Sequence, residues 1–238
     1  MSMNTDALAA EFQGLTTAHV TDACLRRGVA VRCAPAEMRP LDRSRCRLVG
    51  KARPARHSGS VDVFLEAMEG AQRGDVLVID NSGRRDEACV GDLVVLEAKA
   101  AGLAGLVIWG LHRDGPELVD IGLPLWSLGA LPTGPLRLDP RDADALGAAR
   151  VGSSLVTADD VVVADDDGVV FVPLDRAREI ATGARAIRDV ERAQAGEMRD
   201  GTSLRAQLRF GEFIARRAMD PQLTFRQHLR RIGGAVEE

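Results

Sequence analysis

Two short apolar runs with a helical segment between them constrain this chain more than any other feature. Asp75-Val76-Leu77-Val78-Ile79-Asp80, opened by the Arg73-Gly74 turn, and Gly105-Leu106-Val107-Ile108-Trp109-Gly110 both read as strands buried on two faces. Residues 81–91 between them read as a polar loop, and residues 92–101, rich in Ala and Leu, as a helix. Strand, helix and returning strand make a parallel unit. Around it the pattern predicts a short amphipathic helix over 16–24 that stops near Gly28, a strand over 46–55 and a helix over 61–70. Strands over 123–128, 149–156, 161–164 and 169–173 predict a second, mixed sheet layer. From Leu174 the pattern changes to long arginine-bearing helices, with a restart at Asp220-Pro221, where Asp can cap and Pro can occupy the first turn. The expected organisation is an α/β domain over 1–174 and a helical C-terminal extension over 175–238.

Composition removes several function classes. The 238 residues carry 31 basic and 35 acidic side chains, a formal charge of -4, which does not suit a polyanion partner. With 3% aromatics and no aromatic strand of the RNA-binding type, stacking on single-stranded nucleic acid is not expected. No apolar run approaches the roughly 20 residues of a membrane helix. Residues 1–10 hold an acid, Asp6, and polar groups where a signal peptide would be basic and then apolar, so a cytoplasmic, membrane-free protein is expected. Cys24, Cys33, Cys46 and Cys89 form no C-x-x-C pair and read as reduced thiols. Lys51 and Lys99 are the only lysines, and Lys99 reads as a solvated helix residue, which leaves little for Schiff-base chemistry. Four scattered histidines lack the spacing of a zinc site.

In a strand–helix–strand unit, polar groups gather at the carboxyl ends of the strands. Gly91-Asp92-Leu93-Val94 begins the helix there, and its backbone N–H groups, at the positive end of the helix dipole, suit a substrate carboxylate. Arg113-Asp114 arrives at the same edge after the second strand, with twenty residues between Asp92 and Arg113. An arginine fork can grip a carboxylate and a keto oxygen, and Asp114 can hold a hard divalent cation. The plain alternative is a surface ion pair. His112-Arg113-Asp114 imitates the kinase catalytic triplet, but Gly115 and Val119 stand where leucine and asparagine are needed. His112 could act as a local acid or base, although such a histidine is more often a structural hydrogen-bonder.

Taken together, Val20-Thr21-Asp22-Ala23, Gly50-Lys51-Ala52, Asp62, Gly74 to Asp80, Gly91 to Val94, Gly102 to Gly110, Arg113-Asp114 and Ala164 to Val170 resemble the RraA-like family, which includes class II 4-hydroxy-4-methyl-2-oxoglutarate/4-carboxy-4-hydroxy-2-oxoadipate aldolases. The aldolases share an Asp, twenty residues, then Arg-Asp, and Asp92, Arg113 and Asp114 match that spacing. The resemblance implies a β/β/α fold like the swivelling phosphohistidine domain, assembled as homotrimers or homohexamers. It implies that Asp114 ligates Mg²⁺ or Mn²⁺, that Arg113 binds the pyruvyl part of a 2-keto acid and that the backbone of Gly91, Asp92, Leu93 and Val94 receives its carboxylate. Asp92 would orient a metal-bound water that protonates the enolate. The implied activity is cleavage of a 4-hydroxy-2-keto dicarboxylate, or of oxaloacetate, to pyruvate. The alternatives are a protein-binding regulator of ribonuclease activity, or a lyase or hydratase acting on another 2-keto acid. The complete Asp plus Arg-Asp set favours the enzyme. Glu237 and Glu238 are candidates for a base reaching across subunits, against the simpler reading of a frayed acidic terminus. The chain departs from the family pattern at Trp109, at His112 and at Ala158-Asp159-Asp160.

Overall fold

The computed structural model describes residues 5–233. The chain runs α1 (Thr5–Glu11), α2 (Thr17–Arg26), β1 (Arg32–Cys33), β2 (Arg39–Pro40), β3 (Leu48–Arg56), α3 (Asp62–Glu69), β4 (Val76–Asp80), β5 (Ala88–Val90), α4 (Asp92–Ala100), β6 (Gly105–Trp109), β7 (Leu111–His112) and α5 (Gly115–Ile121). It continues through β8 (Leu125–Ser127), β9 (Ala148–Val151), β10 (Ser154–Thr157), β11 (Asp160–Asp165), β12 (Gly168–Pro173), α6 (Ala177–Arg199), α7 (Leu204–Gln207), α8 (Phe210–Met219) and α9 (Phe225–Ile232).

One mixed sheet, in the order β1-β12-β11-β3-β4-β6-β8-β2, carries the fold. Its hinge is β3, whose first half pairs antiparallel with β11 (Val161 opposite Lys51) and whose second half pairs parallel with β4 (Ala52 opposite Val76). The predicted second layer is present, facing the parallel half across a shared core, and it is continuous with that half. Its strands β11 and β12 join the parallel half through β3, and the sheet curls on itself. Pro54, which cannot donate to a ladder, lies in the half of β3 that has parted from β11.

The period of two sorts the side chains into three cores. Leu77 and Ile79 of β4, with Leu106 and Ile108 of β6, pack under α3 and α4 together with Phe64 and Val95. Val161 and Val163 of β11, with Val170 and Val172 of β12, pack under α1, α2 and α6. The opposite faces of the same strands, Val76, Val78, Val107, Val162 and Phe171, meet inside the curl around Trp126. Each strand is thus apolar on both faces, which is why these runs lack alternation. At the start of α2, Thr16 Oγ1 accepts from His19 N at 3.3 Å while Thr16 N donates to His19 Nδ1 at 3.1 Å. Asp165 at the end of β11 accepts from both the N–H and the hydroxyl of Thr17, each at 2.7 Å, and so pins α2 to the sheet.

Four local expectations are corrected. The run 149–156 is a hairpin, β9 and β10 paired antiparallel around Gly152 (φ 58°). Inside the expected polar loop, Ala88, Cys89 and Val90 are buried and form β5, parallel to β7. A helix, α5, follows Asp114 where only strands and turns were expected, with Pro in its first turn. The C-terminal restart falls at Thr224, which makes a capping box with Gln227, while Asp220 ends α8.

Helix α6, about 34 Å long at 1.5 Å per residue, buries Ala177, Ile180, Ala181, Ala184 and Ile187, all in its first half, against α2 and the sheet. Beyond it α7, α8 and α9 assemble a small aromatic core of Phe210, Phe213, Phe225 and His228, with ring centroids 5.0–6.0 Å apart. All four cysteines are free, and no helix among the described residues is long and apolar enough to cross a membrane.

Candidate functional site

The carboxyl ends of the parallel strands bring Asp92, Arg113 and Asp114 together. The backbone N–H of Arg113 donates to Val90 O at 2.9 Å, which places the end of β7 beside the start of α4. Asp114 adopts the left-handed conformation (φ 60°, ψ 39°), uncommon outside glycine and tolerated best by Asp and Asn. That turn sends its carboxylate back toward α4, where Oδ2 lies 3.3 Å from Asp92 N and 3.4 Å from Arg113 Nε. Gly91 is the residue that permits this approach: a Cβ there would overlap Asp114 Oδ2 and sit 3.1 Å from Arg113 Nε. Gly91, not Asp92, is the N-cap of α4. Asp92 is the first helical residue, and its Oδ1 accepts from Leu93 N at 2.8 Å. Two of the amides expected to receive a substrate carboxylate are therefore engaged by side chains of the site itself.

The donors present suit a hard cation. Asp114 is one-third exposed, and its Oδ1 accepts no hydrogen bond from the described residues. No group of three or more His, Cys, Asp or Glu side chains that could hold a metal occurs among the described residues. A single carboxylate completed by water is a mode Mg²⁺ uses, since it dehydrates reluctantly.

His112 is buried at 4% exposure, and its Nδ1 lies 2.8 Å from Ser127 Oγ on β8. Burial holds its pKa below the usual imidazole range. This is the geometry of a structural hydrogen-bonder. Trp109 lays its ring against Gly83, where a Cβ would come within 2.7 Å of it. Lys99 is exposed in the last turn of α4 and donates to Ile121 O. Glu237 and Glu238 lie outside the described residues.

A polar cluster that sequence reading missed stands behind the site. Glu87, buried immediately before β5, accepts from Arg137 Nε at 3.0 Å and pairs with Arg84 at 3.3 Å. Arg137 also donates to Asn81 Oδ1 at 3.0 Å. Because arginine only donates, that oxygen is fixed as an acceptor, so His57 Nδ1, 2.9 Å away, carries the proton. Burial lowers the His57 pKa against the opposing pull of this bond. The one sequence signal was a glutamate set directly against an apolar triplet.

From Gly91 and Arg113 a groove of about 780 Å³ opens between α3 and α4. A curled mixed sheet thus carries a guanidinium–carboxylate pair and a helix N-terminus at its parallel strand ends. The family model described as "RraA-like: Aldolase/RraA" matches residues 17–171, and the chain belongs to that family.

Among curated proteins the chain is similar to one from Halalkalibacterium halodurans, 30% identical over 143 residues (58% of this chain, 65% of that one). Another, from Aromatoleum aromaticum, is 33% identical over 104 residues (44% of this chain, 64% of that one). Both carry the name "Putative 4-hydroxy-4-methyl-2-oxoglutarate aldolase". The match spans a little under two thirds of either relative's length. Among solved structures, an uncharacterized protein from Pseudomonas syringae superposes with a TM-score of 0.74 at 25% identity, covering 86% of this chain and 98% of its own. Streptomyces coelicolor RraAS2, described as an unusual member of the RNase ES inhibitor RraA family, gives 0.69 at 30% identity, covering 81% and 97%.

Proposed function

We propose that this chain is a divalent-cation-dependent carbon–carbon lyase that cleaves a 4-hydroxy-2-keto acid to pyruvate, with oxaloacetate decarboxylation as the same chemistry on a smaller substrate. The observation that carries the reading is the convergence of Asp92, Arg113 and Asp114 on Gly91 at the mouth of a groove. The names of the two curated relatives support it. Asp114 would hold Mg²⁺ or Mn²⁺, which supplies positive charge beside the oxygens where the enolate's negative charge develops. Arg113 binds the keto and carboxylate oxygens through its planar fork, and the amides of Leu93 and Val94 complete the carboxylate cradle once Asp92 turns off Leu93. Asp92 then orients the water that hands a proton to the pyruvyl carbon. The fold is proposed to be of the swivelling phosphohistidine-domain type. Assembly into homotrimers or homohexamers is proposed with it, and light scattering that returned the mass of a monomer would remove that part.

Arg113→Lys keeps the charge and loses the fork. An ammonium cannot reach two substrate oxygens in one plane. The loss of one charge-assisted hydrogen bond, about 1.5–3 kcal/mol, predicts a fall in kcat/KM of about 10- to 150-fold. Near wild-type kcat/KM in the lysine variant would refute the role given to Arg113.

The deciding experiment for the activity is coupled detection of pyruvate from purified protein, Mg²⁺ and a panel of 2-keto acids. Similarity to RraAS2 supports a second reading, a protein-binding regulator of ribonuclease. Absence of turnover across the panel would transfer the assignment to it.

A further inference from the structure

Bare backbone, more than hydrogen bonding, limits where the Arg113 guanidinium can lie. Its Nε is 3.4 Å from Asp114 Oδ2, and neither terminal nitrogen donates a hydrogen bond to the described residues. What stands against them is Gly134, on the segment 131–139 that follows β8. A Cβ at Gly134 would come within 2.8 Å of Arg113 Nη1 and 3.7 Å of its Cζ. The close approach at Gly91 falls instead at Nε and Cγ, so the side chain passes glycine backbone at two points along its length.

The segment is tied down on both sides of Gly134. Before it, Leu131 N donates to His112 O at 2.9 Å and Thr133 O accepts from Ala88 N at 2.8 Å, which laces the chain to β7 and β5. Beyond it, Arg137 donates to Glu87 and to Asn81, each at 3.0 Å, and Asp139 N donates to Ser58 O at 2.8 Å. Glu87 and Asn81 are buried, and all of these contacts lie within one chain. Breaking an ion pair on a buried carboxylate is costly, because water does not replace the lost partner. The polar cluster behind the site thus fixes the backbone on which Arg113 rests.

Resting on the lyase reading above, we propose that Gly134 is a positioning residue for Arg113: the segment anchored by Arg137 on Glu87 holds bare backbone against Nη1 and so sets the plane in which the fork meets a 2-keto acid. The residue acts only through the guanidinium. Its φ is not positive, so alanine is free of left-handed strain there, and its chain neighbours aside, an added methyl would meet no atom within 4 Å except those of Arg113. The 2.8 Å approach is well inside the roughly 3.5 Å of ordinary van der Waals contact, so in Gly134→Ala the guanidinium has to move.

Calorimetric titration of pyruvate in Mg²⁺, with thermal unfolding of the same samples, tests this on wild type and Gly134→Ala. Pyruvate is expected to bind about 10- to 100-fold more weakly to the alanine variant, the effect of misplacing a binding group by a fraction of an ångström to an ångström. The melting temperature should stay at or above that of wild type, because alanine at an unstrained position restricts the unfolded chain. Loss of function with no loss of stability is what a merely structural glycine would not give. A second measurement, kcat/KM for pyruvate release from oxaloacetate, compares the same change in an Arg113→Lys background. The ammonium stops short of Nη1, so the methyl should there change kcat/KM by no more than about twofold, as for substitutions that share no partner. Unchanged pyruvate affinity in Gly134→Ala overturns the proposal and leaves the lyase reading standing. An equal loss in the lysine background, or a lowered melting temperature, overturns it as well, since the methyl then acts on something other than the fork. Pyruvate binding without turnover in wild type sinks the lyase and leaves Gly134 to be decided by the titration. A wild type that neither binds pyruvate nor releases it overturns both.

Discussion

Excess chelator is expected to abolish pyruvate release, and Mg²⁺ or Mn²⁺ to restore it. The expectation follows from how little the protein offers a cation. Among the described residues Asp114 belongs to no group of three or more possible metal ligands, and its Oδ2 is already shared between the Asp92 amide and Arg113. One carboxylate and several waters make a weak, exchangeable site, so chelation should act quickly and reverse completely. A site of three or four protein ligands would release its metal slowly instead. Full turnover in excess chelator would sink the cation requirement and turn attention to Schiff-base chemistry, which borohydride trapping with substrate detects. That route is poorly supplied: Lys99 is exposed and ties the last turn of α4 to Ile121 O.

Asp92→Asn is expected to slow turnover by about 10² to 10⁴-fold, the range for a positioned acid–base group, with almost no change in melting temperature. The near-isosteric amide keeps an oxygen that can accept from Leu93 N, so the first turn of α4 retains its hydrogen bond. Only the favourable charge at the helix start is lost, about 0.3–1 kcal/mol. Gly91, which caps α4, and the Asp114 carboxylate, which takes the Asp92 amide, are untouched by the change. Stability and catalysis are thus separated within one sample. Unchanged turnover at unchanged melting temperature would leave Asp92 as a first-turn carboxylate and nothing more.

The parallel unit was legible because its strands are buried on both faces, so Val76 to Ile79 and Leu106 to Ile108 cannot be read as anything amphipathic. The meeting of Asp92 with Arg113-Asp114 was legible for the same reason, since a helix and a returning strand bring the chain back to one edge. What stayed hidden depends on long-range partners. Ala88-Cys89-Val90 is too short to announce a strand and becomes one only because Leu111 and His112 lie alongside. The left-handed turn at Asp114 and the close approach at Gly91 explain each other, and neither is visible without the other. The polar cluster of His57, Asn81, Glu87 and Arg137 draws on residues up to 80 positions apart, with no local period to betray it. That β3 joins the two layers into one sheet also stayed hidden, because pattern alone does not show a strand changing partners midway.

That change of partners also governs how the molecule comes into being. Val161 must find Lys51 across about 110 residues of chain before the curl can close, whereas β3, β4 and β6 pair through nearby crossovers. Contacts of such separation are slow to form. On a ribosome the parallel half would therefore emerge with the first part of β3 as a bare edge, carrying Leu48 and Val49 unpaired until β11 is synthesised. During the interval between those two events that edge is open to pairing with other chains, and its length is set by how fast translation runs from Arg56 to Asp165.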